Sequence, residues 1–186
     1  MNKCIFLDRD GVINKDSGYV YKWDDFEFLP GVIEALKDLT YHEISIVIVT
    51  NQSGIARGFY TEQDFLTLNG CMLEYFKTEG IQILDIFYCP HLISGIVPKY
   101  AADCACRKPK PGMFHLAFDK YNIDPLSSIM VGDKMSDIVA ATNAGIHTSY
   151  LVGNQFQESL GVKPSFSFES LIECVEHIIH PNPSRF

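Results

Sequence analysis

Short, continuous apolar runs that each end in polar residues constrain this chain more than any other feature. Cys4-Ile5-Phe6-Leu7, Ile44 to Val49, Ile83 to Tyr88, Ser128-Ile129-Met130-Val131 and His147 to Val152 are such runs. Without polar alternation, they read as strands covered on both faces. Segments of helical period lie between them: Gly31 to Leu39, Thr61 to Gly80, about Met113 to Tyr121, and a stretch with Asp137, Ile138, Ala140, Ala141 and Ala144 closed by Gly145. Thr61 with Asp64 three residues on makes a near capping box. A last helix is expected from about Phe168 to Ile179, before a Pro-rich tail. Strands alternating with helices predict an α/β fold, a parallel sheet with helices on both sides.

In such a sheet the carboxyl ends of the strands share one edge, and that edge is where ligands bind. Asp8 and Asp10 follow the first run at spacing i, i+2, so both point to one side of an extended segment. Gly11 then permits a sharp turn. Thr50 and Asn51 follow the second run, Asp133 follows the fourth, and Arg107-Lys108 precede a helix. Taken singly, each has a plain alternative: a turn, a solvated basic pair, a helix-start acid. Taken together, they fit phosphoryl transfer, which needs positioning and neutralisation of charge. Asp8 would attack phosphorus and become an aspartyl-phosphate; Asp10 would protonate the leaving alcohol and later take a proton from water. Asp133 with Asp8 could hold Mg²⁺, Thr50 would donate a hydroxyl hydrogen and Lys108 a positive charge. Arg107 offers a planar fork for a second anionic group.

The 186 residues, 47% apolar and 20% charged, describe one folded domain over 1–186. A net charge of −8 argues against nucleic acid and against anionic membranes as partners. No apolar run approaches the roughly 20 residues that span a bilayer, and the first strand starts without a signal segment, so a cytoplasmic location is expected. A monomer is expected. Of six cysteines, Cys4, Cys71 and Cys174 fall in apolar periodic segments and read as small buried hydrophobes. Cys89-Pro90-His91 and Cys104-Ala105-Cys106 are instead two close ligand pairs around a loop of about 89–106. Three thiolates and an imidazole complete a closed tetrahedral Zn²⁺ shell, against the alternative of incidental loop residues.

Asp8-x-Asp10-Gly11, Thr50-Asn51, Lys108 and Gly132-Asp133-x-x-x-Asp137 together resemble, in order, the four motifs of the haloacid dehalogenase superfamily of phosphatases. The resemblance implies a Rossmann-like three-layer α/β/α sandwich, Mg²⁺ dependence, and a metal contact from Asp10 through its backbone carbonyl. The zinc loop narrows it to a capless group, the D-glycero-D-manno-heptose 1,7-bisphosphate phosphatases and the histidinol-phosphate phosphatases. Gly18-Tyr19-Val20, Thr50 to Gly58, Cys106 to Pro109 and Gly132-Asp133-Lys134 resemble the heptose enzymes; Val12 departs, where many members carry Thr. By that match Asp16, Ser17, Gly18, Tyr19, Thr50, Asn51, Gln52, Ser53, Arg107, Lys108 and Lys134 would contact a small phosphorylated sugar. The implied reaction removes the C7 phosphate of the heptose bisphosphate, in the synthesis of nucleotide-activated heptose for lipopolysaccharide core. Histidinol phosphate stays open as substrate, as does, from another class, a silent zinc-binding interaction module.

Overall fold

The structure, a computed structural model, describes residues 3–153 and 161–181; the Pro-rich tail lies outside them beyond Pro181. Six strands form one sheet: β1 (Cys4–Leu7), β2 (Ser45–Asn51), β3 (Asp85–Cys89), β4 (Ile129–Gly132), β5 (Thr148–Val152) and β6 (Phe166–Phe168). Their order is β3-β2-β1-β4-β5-β6 and every neighbouring pair is parallel. This is a Rossmann-like arrangement, and the strand order reverses between β1 and β4. There Leu7 pairs with Val131, and the Asp8 N–H donates to the Val131 carbonyl at 3.0 Å.

The continuous apolar runs are explained by helices on both faces. Ile5, Leu7, Ile46 and Ile48 pack with α1 (Val32–Tyr41), α3 (Glu62–Thr78) and α6 (Leu171–Ile179). The alternate residues Cys4, Phe6, Val47 and Val49 pack with α4 (Gly112–Tyr121) and α5 (Met135–Asn143). Phe6 sits at the middle of the second layer, its ring 5.1 Å from Phe114 and 5.7 Å from Phe118. Truncating such a side chain to Ala costs about 3–5 kcal/mol. The expected capping box is present on α3: Asp64 N–H donates to Thr61 Oγ1 at 3.1 Å, and Thr61 N–H to Asp64 Oδ2 at 2.8 Å.

Three details differ from the sequence reading. A four-residue helix, α2 (Ser53–Ala56), follows β2 directly. β6 is an additional edge strand, paired to β5 through Tyr150 and Phe166, and α6 starts after it at Leu171, not at Phe168. Phe166-Ser167-Phe168 is too short for its period to register. Cys71 is exposed, unlike buried Cys4 and Cys174. The buried face of α3 carries Phe65, Leu68, Met72 and Phe76, and Cys71 is turned about 100° from Met72.

Candidate active site

The switch point between β1 and β4 gathers the polar strand ends into a cleft of about 470 Å³. Its walls include Asp8, Asp10, Thr50, Lys108 and Arg107, with Asp16, Gly18, Tyr19, Asn51, Gln52, Ser53 and Lys134. Ser17 is exposed and does not line it. Tyr60, Ser136 and Asp137 line it as well, although only Asp137 had a signal in the sequence, one helical turn beyond Asp133.

At the floor, Lys108 is 3% exposed and its ammonium faces three oxygens: Asp8 Oδ1 at 3.0 Å, Asp137 Oδ1 at 2.7 Å and the Val49 carbonyl at 2.8 Å. Burial alone would lower its pKa, but the Asp137 and Asp8 carboxylates outweigh that and hold it above the usual lysine value. Burial pushes the Asp8 carboxyl up to about 7; Lys108 opposes this, and Asp137, Asp133 and Asp10 add repulsion. Burial and then Asp137 raise Asp133 in the same way.

Carboxylate oxygens of Asp8, Asp133 and Asp137 lie within 4.8 Å of one another; Lys108 serves Asp8 and Asp137, and Lys134 reaches only one oxygen of Asp133, at 3.2 Å. Asp133 Oδ1 is buried without a hydrogen-bond partner. Such a set suits a hard cation. Gly11, at φ +90°, lets the chain run close beneath: a Cβ there would overlap the Asp133 carboxylate.

Asp10 is pinned at both oxygens. Arg9, wholly buried, donates to Oδ1 at 2.9 Å and to the Val20 carbonyl at 3.0 Å; Asn14 donates to Oδ1 at 3.0 Å, and Gln52 to Oδ2 at 2.9 Å. The Arg9 guanidinium also lies over the Phe65 ring, 5.5 Å from its centroid. Asn51 spends its amide on the backbone of Lys108, accepting from its N–H at 3.1 Å and donating to its carbonyl at 3.1 Å. Lys134 bridges Asp16 at 3.0 Å and Asp133 at 3.2 Å, tying the 16–19 turn to the end of β4.

Beside the cleft, Cys89, His91, Cys104 and Cys106 converge. Cys89 Sγ is 3.5 Å from Cys104 Sγ and 3.8 Å from His91 Nδ1; Cys106 Sγ is 3.3 Å from Cys104 Sγ and 3.4 Å from His91 Nδ1. Tetrahedral bonds of ~2.3 Å to sulfur and ~2.1 Å to nitrogen set edges of about 3.6–3.8 Å. A disulfide would need sulfurs at ~2.05 Å. Sharing of protons with Cys89, and then the His91 contact, holds the Cys106 thiol down at about 5, so a thiolate is already favoured. Arg107 and Lys108 follow Cys106 directly, and Arg107 Nη1 donates to the His91 carbonyl at 3.3 Å.

Known proteins share this organisation. A family model described as HAD-hyrolase-like matches residues 105–174. D-glycero-alpha-D-manno-heptose-1,7-bisphosphate 7-phosphatase of Photorhabdus laumondii is 51% identical over 81% of this chain and 82% of its own length. D-glycero-beta-D-manno-heptose-1,7-bisphosphate 7-phosphatase of Haemophilus ducreyi is 44% identical over 95% of this chain and 98% of its own length. The chain belongs to the heptose-1,7-bisphosphate 7-phosphatase family. It is thereby a phosphatase of the haloacid dehalogenase superfamily, hydrolysing a phosphate monoester. The crystal structure of a family member, D,D-heptose 1,7-bisphosphate phosphatase from B. bronchiseptica complexed with magnesium and phosphate, superposes with a TM-score of 0.83. It is 34% identical and covers 97% of this chain and 99% of its own. Among the described residues of this chain, no helix is long and apolar enough to cross a membrane.

Proposed function

We propose that this phosphatase removes the C7 phosphate of D-glycero-D-manno-heptose 1,7-bisphosphate, through Asp8 as nucleophile and Asp10 as general acid and base. The relatives' names give the substrate. The observation that carries it on this chain is Arg107 beside Lys108 at the cleft, a second cation where one serves the transferred phosphate. A product feeding nucleotide-activated heptose for lipopolysaccharide core agrees with those names.

An oxygen of Asp8 bonds to phosphorus while the bond from phosphorus to the sugar oxygen breaks. The departing electron pair stays on that oxygen, which takes the proton from Asp10. Water then attacks the aspartyl-phosphate, gives a proton to Asp10, and releases phosphate and Asp8. Thr50 donates its hydroxyl hydrogen to a phosphoryl oxygen, Lys108 steadies the negative charge, and Arg107 holds the other phosphate. Ser53 and the 16–19 turn with Lys134 shape the sugar side, while Asn51 holds the Lys108 backbone and Gln52 lies beneath, on Asp10 and Thr50.

Mg²⁺ fits the carboxylate set, with Asp8, Asp133 and the Asp10 backbone carbonyl as ligands and Asp137 beside them. When bound it supplies charge neutralisation between carboxylate and phosphate. Zn²⁺ fits Cys89, His91, Cys104 and Cys106 and leaves no open position, so its work is to fix the loop that presents Arg107 and Lys108.

Phosphate release from the α and β anomers of the bisphosphate and from histidinol phosphate tests this. The expected order puts one or both heptose anomers far ahead; a preference for histidinol phosphate would overturn the substrate.

A further inference from the structure

We propose that Gln52 is a positioning residue that sets the hydrogen-bond polarity of Asp10 and Thr50, and that Tyr60 in turn sets Gln52. This deepens the proposed mechanism and rests on Asp10 being its general acid. Gln52 is only 2% exposed, too deep for a polar side chain whose main partner is a sugar. Both hydrogens of its amide are used, on Asp10 Oδ2 at 2.9 Å and on Thr50 Oγ1 at 2.9 Å. Its Oε1 accepts from the Tyr60 hydroxyl at 2.5 Å.

Chemistry fixes the direction of this chain. Asp10 Oδ2 accepts from the NH₂ end of Gln52, which leaves Oε1 facing Tyr60, and the Tyr60 hydroxyl therefore donates. Thr50 Oγ1 accepts the second amide hydrogen. Its own hydroxyl hydrogen is then free to turn to a phosphoryl oxygen. With the amide reversed, Oε1 would face the Asp10 carboxylate and would draw the Thr50 hydroxyl hydrogen away from the phosphoryl oxygen. Asp10 Oδ1 is held by Arg9 and Asn14, and Oδ2 by Arg9 at 3.1 Å and, more closely, by Gln52 at 2.9 Å, so Gln52 is the neutral donor that joins Asp10 to Thr50.

Tyr60 is held for this task. Its ring stacks on Tyr21 at 5.2 Å and lies against Gly54, where a Cβ would overlap the ring. The hydroxyl therefore has little freedom to leave Gln52.

The test compares two leaving groups in single turnovers of the magnesium-loaded enzyme. A sugar alkoxide needs a proton to depart, whereas nitrophenolate does not. Gln52→Met should slow cleavage of heptose 1,7-bisphosphate by about 10–100-fold, a part of the roughly 10²–10⁴-fold that general acid catalysis supplies, and the nitrophenolate burst from p-nitrophenyl phosphate by less than about 5-fold. Tyr60→Phe, which removes one oxygen and keeps the ring, should slow the sugar reaction about 2–5-fold with the same selectivity. The double variant should be no slower than Gln52→Met alone, because the two act in series. A purely structural role would slow both substrates together and give additive losses; that result overturns the proposal. Asp10→Asn is the control. If it is selective for the sugar and Gln52→Met is not, the positioning role fails alone. If Asp10→Asn is itself unselective, the general-acid role falls and this proposal falls with it.

Discussion

The carboxylate cluster at the sheet and the sulfur cluster beside it differ in what holds them. Asp8 and Asp133 come from adjacent strand ends, and both core layers back the strands that carry them. The position of those acids is therefore set by the fold, and their mutual repulsion works against it. Cys104, Cys106 and His91 come from a loop between β3 and α4, where exposed Ile93 and Ile96 contribute little core. On the zinc proposal, that loop's position would be set chiefly by its ligands, with Ile96 and Val97 N–H groups tied to the Ala56 carbonyl. One centre places charge where chemistry needs it at a cost in stability; the other, with zinc bound, would supply stability that places charge.

Asp8→Asn should separate the two most sharply. Turnover should fall by at least about 10⁴-fold, as for nucleophile removal elsewhere. The melting temperature should hold or rise, since burial and neighbouring acids already disfavour the ionised Asp8. Steady-state assay with calorimetry checks both, and a large loss of stability would mean that the carboxylate cluster is a structural element.

Arg107 stands between the centres, directly after the last sulfur ligand. Losing a charge-assisted hydrogen bond costs about 1.5–3 kcal/mol, so Arg107→Ala should lower kcat/KM for the bisphosphate roughly 10–150-fold. A simple monophosphate should be hydrolysed almost as before. Equal losses would place Arg107 at the reacting phosphate.

Cys104→Ser should show the opposite balance to Asp8→Asn. Elemental analysis should find one zinc per native chain and much less in the variant. A loss of about 3 kcal/mol would lower Tm by roughly 6–12 °C for a chain of this size. Activity should drop with it because Arg107 and Lys108 lose their anchor. An unchanged Tm and rate would remove the zinc proposal.

The smallest effect is a pH dependence of magnesium stabilisation. Asp8 has a folded pKa raised to about 7 from 3.8, so in the metal-free enzyme it favours folding below about pH 4 and loses that contribution as pH rises through 7. Added Mg²⁺ should therefore raise Tm by a few degrees at pH 8, about the size of 1–2 kcal/mol. At pH 5, where a proton must leave first, the rise should be smaller. Thermal melts at both pH values decide it.

Much of this organisation was legible in the sequence because it lies in local patterns. Apolar runs without alternation require two covered faces, and the polar residue ending each run marks the sheet's carboxyl edge. Asp8, Asp10 and Asp133 stood out for that reason, Lys108 for its place before a helix in the motif order, and the two Cys pairs for their spacing. Tyr60, Arg9 and Asn14 did not, since their meeting with Asp10 and Gln52 depends on tertiary packing. Asn51 and Gln52 read as substrate contacts from their place in a motif. Their amides are taken up by Lys108 and by Asp10 with Thr50, an outcome that only burial and geometry reveal.

The most direct test of the chemistry is to quench the enzyme during turnover of heptose 1,7-bisphosphate and analyse its peptides, using Asp10→Asn to slow release of the intermediate. The peptide spanning residues 4–9 should carry one phosphoryl group on Asp8, and hydroxylamine should remove it. Phosphate released through complete turnovers, with no protein peptide ever carrying it, would contradict Asp8 as the nucleophile.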